Sequence, residues 1–356
     1  MRRLLVAALG LSLLTFAPAT EAAERPVGDT RVFARIAKPG YPAYVFVHRN
    51  GRVYAGTYTN PTGDSQRSRI FEWTADGTLE HAWTVPGQDL SVDHGVQVAN
   101  QDAYGRLILL EKSRSRVLTL NVKTGRFRTW ATFPDLHGTP NLIDDSAIPN
   151  YATWGPDGSL YVSDYGQAVI WRIPPGGGTP RRWFQSSALD GTEFGSTGLV
   201  YRPGTHELLI GQGSTATDGT VPVNGKLYRL PIKADGRPGT LTTLWTSGPA
   251  ELPDGFGLAR SGHIYVALAG LANQIVELSA TGEELRRFGT AYTGENGSPV
   301  PFDTPSSASF LGTRILVANQ SFTGDATHHA VLDVEVGEPG RAAYIPKSAA
   351  WRWPSP

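Results

Sequence analysis

The sequence predicts an all-β fold, a six-bladed β-propeller of four-stranded antiparallel blades. Three observations carry this reading. A strand–turn–strand unit returns six times at intervals of about fifty residues, and a third and an outer strand follow most returns. The chain holds 41 glycines and 26 prolines, as a fold with many tight turns requires. No stretch after the N-terminal segment keeps apolar residues at i, i+3, i+4 and i+7 between helix caps.

The chain opens Met1-Arg2-Arg3, runs apolar from Leu4 to Phe16 and reaches Ala17-Pro18-Ala19, a small-x-small cleavage pattern. Residues 1–19 are therefore expected to be a cleaved signal peptide, and the mature protein to be secreted or periplasmic. The apolar run is shorter than the ~20 residues of a membrane-spanning helix, and no later segment approaches that length, so no membrane span is expected. Residues 20–29 read as a short linker. Thr30 to Ile36 alternates like a strand and has no partner of its own. It is expected to supply the outer strand of the sixth blade, so that strands from both ends of the chain close the ring and remove a free edge.

The second strand of each repeat is the easiest to align. It begins at Gly51-Arg52-Val53-Tyr54, Gly105-Arg106-Leu107-Ile108, Gly158-Ser159-Leu160-Tyr161, His206-Glu207-Leu208-Leu209, Gly262-His263-Ile264-Tyr265 and Thr313-Arg314-Ile315-Leu316. Third strands follow with paired apolar residues, from Ile70 and Trp73 to Val331 and Val334, and outer strands are visible at Leu79 to Val85, Arg126 to Phe133, Arg181 to Phe184 and Leu285 to Phe288. Four strands per repeat at this period describe a propeller blade, because radial repetition leaves only short, protected edges. The propeller is assigned to residues 30–346, and 347–356 to an irregular C-terminal tail. The tryptophans, Trp73, Trp83, Trp130 and Trp171 among them, fall on strand positions at blade period and are assigned to the packing between blades.

Lys+Arg and Asp+Glu balance at 32 each with no long basic run, so no nucleic-acid partner is expected. With no cysteine there is neither a disulfide nor a thiolate nucleophile. A monomer is expected. No Gly-x-Ser-x-Gly elbow, phosphate loop or dinucleotide fingerprint is present.

In a propeller the first polar residue of each innermost strand looks onto the central axis, where six blades can present six groups to one ligand. Counting back seven to eleven residues from each turn gives Pro42 or Ala43, His94, Asn150, Thr197, Asp254 and Ser306. A small polar molecule on the axis is the expected partner, with Asn150, Thr197 and Ser306 as substrate contacts. His94 is a candidate general base, and it would admit zinc or manganese in place of a harder cation. His328-His329, adjacent on what reads as a strand, would face opposite ways and is taken as solvated.

The segment Pro149-Asn150-Tyr151-Ala152-Thr153-Trp154-Gly155-Pro156-Asp157-Gly158-Ser159-Leu160-Tyr161-Val162-Ser163-Asp164 resembles a blade of the SMP-30/gluconolactonase (regucalcin-like) family of six-bladed propellers. Pro253-Asp254-Gly255-Phe256-Gly257-Leu258, running on to Gly262-His263-Ile264-Tyr265-Val266-Ala267, resembles another. The resemblance implies one divalent cation on the axis, usually calcium, and hydrolysis of sugar lactones. It implies that Asp254 is both metal ligand and base and that Asn150 is a second axial ligand. Two departures stand against it: Thr197 replaces a family asparagine, and no glutamate lies near Tyr41-Pro42 where the family has one.

Two functions follow. One is a secreted, metal-dependent hydrolase of a lactone or ester; the other is a non-catalytic propeller that binds a ligand or a protein around a degenerate metal site. The shortage of carboxylates leaves a calcium shell incomplete unless backbone carbonyls, waters or Asp93, Glu193 or Asp303 contribute.

Overall fold

The computed structural model describes residues 25–58, 65–137, 145–191, 194–214, 224–322 and 324–350. The expected signal peptide, residues 1–19, lies outside them, as do 351–356 of the tail and Glu193.

Six four-stranded antiparallel sheets form the molecule. Blade one consists of Pro42–Val47, Val53–Thr57, Arg69–Trp73 and Leu79–Thr84, taken from the axis outward. The innermost strands of blades two to five are Val96–Gln101, Pro149–Trp154, Ser196–Arg202 and Pro253–Leu258. Blade six runs Pro305–Leu311, Arg314–Asn319 and Ala330–Glu335, and its outermost strand is Thr30–Arg35 from the other end of the chain, with Thr30 opposite Val334. The innermost strands contact one another in circular order, the first against both the second and the sixth. Among the described residues the only helical elements are two 3₁₀ turns, Ser187–Leu189 and Ala326–His328.

The repeat signature has a direct cause. Its glycine occupies the left-handed backbone region in the turn between the first two strands, with φ of 81° at Gly51, 78° at Gly105, 85° at Gly158 and 101° at Gly262. Glycine enters that region without steric cost. Blade four has His206 there, at φ 51°.

Packing closes the ring as well. Each of six apolar clusters joins two neighbouring blades: Phe46, Tyr54 and Ile70 of blade one meet Val98, Leu107 and Leu109 of blade two, and Val45, Phe71 and Trp73 meet Leu316, Ala318 and Val331 of blade six. Second strands such as Leu107–Glu111 and Ile264–Leu268 are buried at every position, since both faces of a blade are covered by neighbours, and they read accordingly as continuous apolar runs. Trp73, Trp130, Trp154 and Trp171 sit in these clusters, and Trp83 packs against one. Outer strands turn to solvent and carry charge, as in the exposed strand Leu79–Thr84 and its Arg52–Glu80 pair at 2.8 Å, which discourages edge-to-edge association.

Both described ends are tied down. In the segment read as linker, Arg25 bonds Asp29 at 2.7 Å and Asp333 at 2.8 Å. At the other end, residues 338–349 cross one mouth of the central channel as a strap. Arg341 N–H donates to Leu258 O at 2.7 Å, Arg49 Nη2 to Ile345 O at 2.8 Å, and Ala103 N–H to Ala349 O at 2.6 Å.

His328 and His329 correct an expectation. His328 ends a 3₁₀ turn and pairs with Asp303 at 2.8 Å, and His329 is buried with its ring 4.3 Å from that of Tyr41. The loop, rather than a strand, sets their directions, and neither is a freely solvated side chain.

Candidate functional site

A cavity of about 370 Å³ opens at the mouth of the channel away from the strap. Every blade contributes the second residue of its innermost strand: Ala43, Gln97, Asn150, Thr197, Asp254 and Ser306. A local irregularity explains why these side chains face the axis. The ladder between first and second strands shifts register at this point in five blades, between Pro42 and Val45, Pro149 and Ala152, Ser196 and Leu199, Pro253 and Phe256, and Pro305 and Ser307. Such bulges re-aim a side chain at the cost of local pairing. Proline opens the strand in blades one, three, five and six, a position where its missing N–H is tolerated.

Five of the six expected axial positions thus line one cavity, Ala43 being the residue of blade one, and His94 does not. Its Nε2 lies 2.7 Å from Gln66 O and its Nδ1 3.2 Å from Val92 O, and the axial position of blade two belongs to Gln97. The correction comes from register: Ala43, Asn150 and Asp254 each stand eight residues before their turn glycine, Gly51, Gly158 and Gly262, and the same interval from Gly105 reaches Gln97. The dipeptide His94-Gly95 imitates Thr197-Gly198 and Asp254-Gly255 but precedes the strand.

Asp254 is the chemical centre of the cavity. Its Oδ1 is buried and has no hydrogen-bond partner among the described residues, and the carboxyl reaches solvent only by way of the cavity. Burial pushes its pKa up to about 7, against which the neighbouring Tyr151 hydroxyl acts. Gln97 Nε2 donates to Asn150 Oδ1 at 2.7 Å, which leaves Gln97 Oε1 as a second buried oxygen without a partner. Two unsatisfied acceptors and one amide oxygen therefore border the same space.

Thr197 and Ser306 line the cavity with their hydroxyls already engaged. Thr197 Oγ1 donates to Pro253 O at 2.9 Å, and Ser306 Oγ bonds Ala43 O, so each ties its blade to the adjacent one beside the axis. Of the auxiliary acids, Asp93 pairs with Lys112 at 3.1 Å, while Asp303 accepts from Ser321 Oγ at 2.7 Å and pairs with His328.

The rest of the wall is more apolar than the sequence suggested. Tyr58, Tyr165, Phe194, Leu252, Leu271 and Phe322 surround the polar floor. The Tyr58 and Tyr165 hydroxyls meet at 2.9 Å, and Lys112 Nζ stands 4.8 Å from the Tyr58 ring centre. Tyr58, Tyr165, Leu271 and Phe322 come from the loops between second and third strands, Phe194 and Leu252 from connections between blades, and none carries a signature in the repeat.

The two groups of acids and histidine that approach metal-binding spacing are elsewhere. Glu72, Glu80 and His81 lie on the outer part of blade one; His263, Glu277 and Glu338 join blade five to the strap. None of the six borders the axial cavity.

No protein-family model matches the sequence, and no curated protein is similar to it. Solved structures are similar in fold. Regucalcin from Agrobacterium tumefaciens, a calcium-binding protein, is 16% identical over 90% of this chain and 96% of its own, with a TM-score of 0.61. Luciferin-regenerating enzyme is 14% identical over 87% and 97%, with a TM-score of 0.58. Virginiamycin B lyase from Staphylococcus aureus is 15% identical over 84% and 82%, with a TM-score of 0.53. The first two are regucalcin-like propellers, in keeping with the resemblance of the two blade segments. A propeller frame serves unrelated chemistries, so the function has to be argued from the site.

Proposed function

We propose that this chain is an exported propeller hydrolase that opens a lactone or ester in the axial cavity, with Asp254 as general base. The observation that carries the reading is Asp254, a cavity-lining residue with a buried, unpartnered Oδ1 and a pKa near 7. A base poised near the working pH is present in both protonation states and gains the most from proton transfer. The Asp254 carboxylate would take the proton of an attacking water and hand it to the departing alkoxide oxygen. The Gln97 and Asn150 amides would orient the ester carbonyl, and the aromatic wall would hold an apolar acyl or ring substituent. This favours substrates with an apolar part over fully hydroxylated sugar lactones.

The donor set fits a hard divalent cation in kind: Asp254 Oδ1, Gln97 Oε1 and Asn150 Oδ1 are all oxygens, and one of them is anionic. These three residues would hold it, with water or substrate completing the shell, and calcium is the first expectation. When bound, the cation would polarise the substrate carbonyl and acidify a bound water. Regucalcin's description as a calcium-binding protein supports this assignment.

A second reading, binding without turnover, is favoured by one observation: Ala43 occupies the axial position of blade one, and the second carboxylate that lines the described cavity, Asp303, is already engaged by Ser321 and His328. The deciding experiment assays the mature protein against a panel of alkyl-substituted lactones and aryl esters, with metal content measured by elemental analysis. Turnover that is lost in Asp254→Asn supports hydrolysis. Tight binding of panel members without turnover in the wild type supports the second reading. Export is proposed from Met1 to Ala19 and is tested by the N-terminal mass of protein recovered outside the cytoplasm.

A further inference from the structure

The strap face holds a second, larger cavity of about 600 Å³, within the range of roughly 300–1,000 Å³ typical of small-molecule sites. We propose that it binds an organic monoanion, specifically an aromatic carboxylate, independently of the axial chemistry. Three features converge on that ligand.

The first is charge. Arg49, Arg260 and Arg341 all line this cavity, and no aspartate or glutamate is among its lining residues. None of the three makes an ion pair among the described residues, whereas Arg116, Arg202 and Arg314 elsewhere are matched by Glu111, Glu207 and Asp333. His48 adds no competing charge. Burial lowers its pKa, Asn50 N–H donates to its Nδ1 at 3.0 Å, and its Nε2 is thereby left to donate to Gly105 O at 3.1 Å.

The second is placement. The strap crosses Ala259 through an isolated bridge to Gly340, with Arg260 N–H donating to Pro339 O at 2.9 Å and Arg341 N–H to Leu258 O at 2.7 Å. Arg260 and Arg341 are thus carried on adjacent extended segments, and Arg49 is held at the far end of the strap by its bond to Ile345 O. Guanidinium forks on fixed backbone suit bidentate recognition of a carboxylate.

The third is the apolar floor. Tyr44, Phe46, Phe256, Phe310, Tyr201 and Tyr344 line the same space, and the last two meet edge-on at 4.9 Å. Rings offer stacking area for an aromatic body, which an inorganic anion would leave unused. Tyr44 and Tyr151 separate this space from the axial cavity, so both can be filled at once.

The test is calorimetric titration of the mature chain with naphthalene-2-carboxylate and with its neutral isostere naphthalene-2-carboxamide, at low salt. The expected result is one carboxylate per chain, bound at least tenfold more tightly than the carboxamide. That affinity should fall tenfold or more in the Arg260→Gln/Arg341→Gln double variant, recover in part in Arg260→Lys/Arg341→Lys, and persist in Asp254→Asn. All four arginine substitutions fall on exposed side chains, so melting curves matching the wild type would establish that the fold is retained. Absence of binding, equal affinity for the two probes, or loss in Asp254→Asn with retention in the arginine double variant would overturn the proposal, the last by moving the ligand to the axis.

Discussion

The ring of Tyr44 meets that of Tyr151 edge-on, with centroids 4.9 Å apart and planes at 89°. Tyr44 lines the cavity on the strap face, and the Tyr151 hydroxyl reaches the opposite side, where it donates to Ser306 O at 2.7 Å beside Asp254. The pair stoppers the channel and gives Asp254 a packed, low-dielectric floor. The same burial that disfavours the carboxylate keeps bulk water from reaching it except through one mouth.

Tyr151→Phe should therefore move the pH profile of any activity that uses Asp254. The Tyr151 hydroxyl dipole holds the carboxyl pKa down against the effect of burial, so its loss raises the pKa further above about 7. The acidic limb of kcat/KM against pH is expected to shift to higher pH, with the plateau value preserved within a few-fold. An unshifted limb would mean that the hydroxyl serves only Ser306 O.

Much of the fold was legible because its cause is periodic. The turn glycine at φ near 80° and the buried second strand recur in every blade or nearly so, and each leaves a mark in the residue order. The axial ring was legible for Asn150, Thr197, Asp254 and Ser306 for the same reason. Gln97 was hidden because His94-Gly95 copied a local dipeptide pattern, while the eight-residue interval to the turn glycine shared by blades one, three and five pointed three residues further on. The aromatic wall, the strap and the arginines around the second cavity could not be read this way. They arise where loops of different blades meet, and contacts between distant segments leave no period in the chain.

His94→Ala and Gln97→Ala separate the two choices for blade two. His94 stands off the cavity between two backbone carbonyls, and Gln97 lines it with a buried, unpaired Oε1. Turnover or ligand affinity is expected to stay within about threefold in the first variant and to fall tenfold or more in the second, as loss of an oriented polar contact in an enclosed site typically costs a few kcal/mol. Equal losses in the two, measured on samples of matched melting temperature, would return His94 to the site.

Thr197→Val tests whether that hydroxyl is a structural tie. It preserves the shape of the side chain and removes the 2.9 Å bond to Pro253 O, the carbonyl just before Asp254. The urea midpoint should drop by the equivalent of about 1–2 kcal/mol, the usual consequence of leaving a buried acceptor unpaired. Substrate affinity should change little.

The raised carboxyl also makes stability depend on pH, with a definite sign. An aspartate at its ordinary value near 3.8 when unfolded and about 7 when folded binds its proton more tightly in the native state. Its favourable contribution is complete below pH 4, declines as pH rises, and is gone above pH 7, where folding must bury a charge. The full difference corresponds to at most about 4 kcal/mol, at roughly 1.4 kcal/mol per pH unit. Asp254→Asn removes the titration, so unfolding midpoints of variant and wild type should draw apart from pH 4 to pH 8 with the variant gaining. A bound cation would act oppositely by stabilising the charged form, and calcium titration at pH 8 should then raise the wild-type midpoint and leave Asp254→Asn where it is. Parallel pH curves for the two proteins would show that the carboxyl titrates at its ordinary value and cannot be poised as a base at neutral pH.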